Sequence, residues 1–94
     1  DFVHVNYVCR TIYLLLVAED SVFGKVFQIA SGTETSIVEL ADILRKVTGS
    51  NLKIIYEPER RGEIKRNYSA IGKAKAILGF EPKTTIEEGL RGLL

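Results

Sequence analysis

From Tyr7 to Ala18 the only polar side chains are Arg10 and Thr11, and no other stretch limits so strictly what this chain can fold into. The run contains no glycine or proline, and Asn6 in front of it is of the type that caps a helix start. It reads as a helix with almost no water-facing side. A helix that is apolar nearly all round has to be covered on several sides. In 94 residues little else is available to cover it, so a surface from outside this chain is expected against it. The same expectation follows from the opening residues Asp1-Phe2-Val3-His4-Val5, which read as the middle of a strand, and from the absence of methionine. The chain is read as a fragment of a longer protein.

Around that helix the pattern alternates between strands and helices. Phe2 to Val5 is a short strand candidate, Lys25 to Ala30 a second and Leu52 to Tyr56 a third. Glu19-Asp20-Ser21 ends the apolar helix, and Phe23-Gly24 turns the chain. Ser36 and Glu39 stand in the S-x-x-E pattern of a capping box. Ile37, Leu40, Ala41, Leu44 and Val47 then recur at helical spacing up to Gly49. A shorter helix is predicted from Ile71 to Leu78, closed by Gly79, and Thr85 with Glu88 repeats the capping box before a last helix. The predicted fold class is α/β, with about three short strands and four helices in one region spanning residues 1–94.

Composition excludes several functions. A formal charge of +1 argues against a general nucleic-acid binder, which would carry a strongly basic face. The longest apolar run, Ile12 to Ala18, is too short to span a bilayer. One cysteine cannot form an intrachain disulfide, so Cys9 is read as a core residue and the cytoplasm as the location. His4 is the only histidine, which leaves no zinc-ligand cluster and no nucleophile–base pair; it is read as a hydrogen-bonded structural residue. No G-x-G-x-x-G and no G-x-x-x-x-G-K-[ST] occurs, and no tyrosine is followed four residues later by lysine. The expectation is a chain that binds without catalysing.

What it would bind is suggested by Glu57 to Tyr68. Arg60, Arg61, Lys65 and Arg66 surround Gly62 between a predicted strand and a predicted helix. A guanidinium presents a rigid fork of donors that matches phosphate oxygens, and glycine lets a ligand approach the backbone. The acidic Glu57, Glu59 and Glu63 offset much of that charge.

Four motifs in order, Asp1-Phe2-Val3-His4-Val5-Asn6, Val26-Phe27-Gln28-Ile29-Ala30-Ser31-Gly32, Arg60-Arg61-Gly62-Glu63 and Lys73 to Lys83, resemble the C-terminal portion of the extended short-chain dehydrogenases. Within that family the NAD-dependent nucleotide-sugar epimerases and dehydratases, UDP-glucose 4-epimerase type, match best. The resemblance implies that NAD and the catalytic Tyr/Lys pair belong to an N-terminal Rossmann domain outside this chain. It implies that residues 1–94 hold the nucleotide of a UDP-hexose substrate. The apolar helix would then lie at the domain junction or mediate a homodimer.

Residue by residue, the resemblance implies that Arg60 binds the substrate diphosphate and that Glu63, usually Asp in the family, contacts the ribose hydroxyls. Asn67 falls at a position lining the hexose pocket, where its intermediate size implies tolerance of N-acetylated hexoses. Tyr7 replaces a common acidic residue, and Ala70-Ile71-Gly72-Lys73 replaces a common Asp-x-Ser-Lys, leaving Ser69 as the alternative cap. A dehydratase shares these motifs, and a stand-alone interaction module that has kept the fold without the chemistry is the reading of a different class.

Overall fold

The computed structural model describes residues 1–94. It contains four α-helices, α1 (Val5–Leu16), α2 (Ile37–Thr48), α3 (Gly72–Leu78) and α4 (Ile86–Leu93), with one short 3-10 turn at Asp20–Val22. No strand forms, which corrects the α/β expectation. A strand exists only through a ladder with a neighbour. Of the 38 backbone hydrogen bonds, 23 lie inside the helices and the other 15 are turns, caps and loops, none of which pairs the three predicted strands with one another. The first predicted strand is instead absorbed at its end by α1. The second keeps the side-chain alternation of a strand, with Phe27 and Ile29 against the core and Val26 exposed, but has no partner. The third, from Leu52 to Tyr56, leaves most of its apolar side chains in solvent.

Helix starts follow local chemistry. Ser36 and Glu39 form the predicted capping box at α2, and Thr85 and Glu88 form the second at α4. At α1 the cap is His4, not Asn6, because its Nδ1 accepts the Asn6 N–H at 3.2 Å. The structural role expected of His4 is therefore the one it has. α3 follows Ile71 at its N-cap position without any side-chain cap, and Ser69 does not serve. Its end is better defined. Gly79 takes the left-handed conformation at φ 66°, and Phe80 N–H then reaches back to Ala74 C=O at 3.2 Å. That return drives Phe80 into the core, where it is fully buried with Ala74.

The core is small: Tyr7, Val22, Ala30, Ile71, Ala74, Leu78 and Phe80. Tyr7 meets Phe80 edge to face, with ring centroids 5.9 Å apart, and its hydroxyl donates to the Thr84 carbonyl. Burial, followed by the nearby Glu88 carboxylate, pushes the Tyr7 phenol above its ordinary pKa. α1 packs on α3, and α2 on α4. The extents are 52 × 30 × 16 Å and the radius of gyration is 16.4 Å, against about 12 Å expected for a compact chain of this length. The chain is a flat slab. Much of α1 is consequently uncovered, and Cys9, expected in the core, is exposed. No helix is long and apolar enough to cross a membrane.

Candidate functional site

The cation-bearing loop projects from the slab between Asn51 and Asn67 and carries no regular secondary structure beyond one turn. Glu63 N–H donates to Arg60 C=O at 3.4 Å across Arg61 and Gly62. Gly62 sits at φ 84°, a conformation a side chain would oppose. The turn thus brings Arg60 and Glu63 together at its two ends. Asn67 stands apart from them. It lines an open groove with Ile64, Glu34 and Ser36, which neither Arg60 nor Glu63 enters.

The four cations around Gly62 are not equivalent. Lys65 pairs with Glu59 at 3.3 Å, inside the loop. Arg66 holds both oxygens of Glu34, Nε to Oε1 at 2.6 Å and Nη2 to Oε2 at 2.7 Å. Those hydrogen bonds keep the Glu34 carboxyl below its ordinary value of 4.5. Arg60 and Arg61 make no ion pair and are exposed. These two guanidinium groups at the Gly62 turn are the free cations available to an anion.

Sequence reasoning missed Asp1 and Glu34. The Asp1 carboxylate accepts Ser31 N–H at 2.9 Å, Ser31 Oγ–H at 2.6 Å, Gly32 N–H at 3.2 Å and Ser69 N–H at 3.2 Å. The Asp1 nitrogen also donates to the Asn67 carbonyl. One side chain thereby ties the end of the second predicted strand to the end of the loop. Residues so far apart in the chain carried no local sign of this.

That arrangement also decides whether a dinucleotide fits here. Its pyrophosphate needs free backbone N–H groups at a glycine turn. At Ser31-Gly32 those N–H groups are already given to Asp1, and a Cβ built on Gly32 would meet Ile71 Cδ1 at 3.0 Å, so its space is filled by the core. These residues do not fit NAD. No step through it is assigned to them.

No family model matches the chain. A Methanocaldococcus jannaschii protein, provisionally described as a UDP-glucose 4-epimerase, is 34% identical over 91 residues, covering 97% of this chain and 28% of that protein. The dTDP-glucose 4,6-dehydratase of Streptomyces niveus is 32% identical over 91 residues, 96% of this chain and 26% of its own length. Among solved structures, UDP-glucose 4-epimerase of Thermotoga maritima, crystallised with UDP-glucose, superposes with a TM-score of 0.85 at 35% identity, covering 97% of this chain and 28% of that one. The chain spans 26–28% of the length of these three proteins. Its homologues are the nucleotide-sugar epimerases, dehydratases and related enzymes of the short-chain dehydrogenase family, as the motifs led us to expect.

Proposed function

We propose that residues 1–94 are the C-terminal, nucleotide-sugar-binding part of a longer NAD-dependent epimerase of the UDP-glucose 4-epimerase type, working in the cytoplasm. The observation that carries this reading is the pair of unengaged guanidinium groups, Arg60 and Arg61, at the Gly62 turn. Arg60 grips the diphosphate, Glu63 accepts hydrogen bonds from the ribose hydroxyls, and Asn67 borders the hexose. NAD and the proton-transfer residues are supplied by the rest of the longer enzyme, which packs on the apolar side of α1, with a second copy completing a dimer. The chain's own contribution is to hold and orient the nucleotide. A dehydratase stands as the second reading, because the identity to the Streptomyces enzyme, 32%, is close to the 34% of the archaeal protein.

A charge-assisted contact to a ligand is worth ~1.5–3 kcal/mol. In the full-length enzyme Arg60→Ala is therefore expected to weaken binding of UDP-glucose roughly tenfold to a hundredfold. Calorimetric titration measures it, and an unchanged affinity would overturn the assignment.

A further inference from the structure

The loop that carries Arg60 has an unusual attachment. Between Asn51 and Arg66 its hydrogen bonds and ion pairs are internal or reach only Ser50, except one: the pair from Arg66 to Glu34. Beyond Arg66 the chain is held again, by Asp1 on Asn67 and Ser69. An excursion of this length with a single tether would sample many positions. The tether is a two-point one. Both nitrogens of one guanidinium edge meet both oxygens of one carboxylate, which fixes orientation as well as distance. The Arg66 guanidinium also lies over the Tyr68 ring, 5.8 Å from its centroid.

We propose that Glu34 and Arg66 are positioning residues: their ion pair latches the cation-bearing loop to the approach to α2 and sets where Arg60 meets a nucleoside diphosphate. This rests on the function proposed above. An exposed ion pair adds little to global stability, so its consequence is local order in the loop. Both residues also line the groove that Asn67 borders. Binding then avoids the cost of ordering the loop, and losing the latch returns that cost to the ligand's affinity. Arg66 acts through Arg60 and does not touch the phosphates.

A double-mutant cycle in the full-length enzyme tests this, with the dissociation constant for UDP and kcat and KM for UDP-glucose as readouts. Glu34→Ala and Arg66→Ala should each weaken UDP binding and raise KM about threefold to tenfold, with kcat retained. The double variant should be no worse than either single one. The reversed pair, Glu34→Arg with Arg66→Glu, should recover the loss. Removing Glu34 frees Arg66, so unchanged or tighter binding in Glu34→Ala alongside weaker binding in Arg66→Ala would show Arg66 to be a direct ligand and overturn the latch. Additive effects, or no recovery on reversal, would overturn it too. Arg60→Ala run in parallel separates the two claims. If Arg60→Ala weakens binding and the latch variants do not, only the latch fails; if Arg60→Ala has no effect, the site itself fails.

Discussion

Two glycines of α4 show how much a single residue's meaning depends on what faces it. Gly92 has open space where a Cβ would go, whereas at Gly89 a Cβ would lie 3.0 Å from Cδ2 of His4. The His4 ring cannot easily yield. Its Nδ1 holds the Asn6 N–H at 3.2 Å, and it stands 6.3 Å from the buried Tyr7 ring. Replacing a helical glycine by alanine ordinarily stabilises by roughly 0.5–1 kcal/mol, while overpacking costs about 1–3 kcal/mol. Gly92→Ala should therefore raise the urea midpoint and Gly89→Ala lower it. Equal shifts in the two variants would refute the contact. Nothing in the sequence distinguishes these positions, since both are glycines in one predicted helix. The nucleotide-binding candidates, Arg60 for the diphosphate and Glu63 for the ribose, could be named from the sequence because they flank a glycine that demands a turn, whereas the Arg66 partner lies 32 residues away.

At the scale of elements, the capping boxes were fully readable because their chemistry spans four consecutive residues. Ser36 and Thr85 each accept from the N–H three residues on, and Glu39 and Glu88 return a carboxylate to the cap N–H at 2.6 and 2.7 Å. Those backbone hydrogen bonds, followed by the cap hydroxyls, hold both carboxyls below their ordinary 4.5. A carboxyl with a lowered folded pKa binds its proton less readily when folded, so its contribution is present above the ordinary value and is lost as pH falls through the folded one. Helicity should accordingly decline with acidification below about pH 4.5. Circular dichroism of Glu39→Gln with Glu88→Gln should show a flatter acid limb, and an unchanged limb would contradict this account. Glu87 joins the same region, bonded to Lys46 of α2 at 3.1 Å and Arg91 of α4 at 2.9 Å. The strands could not be read in the same way. Phe27 and Ile29 pack against the core with exposed Val26 and Gln28 before them, but a ladder needs backbone hydrogen bonds to a second segment, and this stretch makes none.

For the molecule as a whole, the slab exposes much of the apolar side of α1, with Ile12 54%, Tyr13 54% and Leu16 79% accessible. Apolar surface of that extent on one element favours association. The isolated 94-residue chain should bind a hydrophobic dye and sediment as larger species at higher concentration. Leu16→Glu should reduce both effects, and a concentration-independent monomer that excludes the dye would count against this reading. The sequence by itself determined the helix starts at Ser36 and Thr85, the helix ends at Gly49 and Gly79, the turn at Gly62 and the apolar character of α1 nearly all round. Each of these rests on neighbours in the chain or on a helical period. Only the tertiary structure decided that no sheet forms, that Cys9 is exposed, that Asp1 clasps Ser31, Gly32 and Ser69, and that Glu34 engages Arg66. Those outcomes depend on which distant segments come within hydrogen-bonding range, and local pattern carries no measure of that distance.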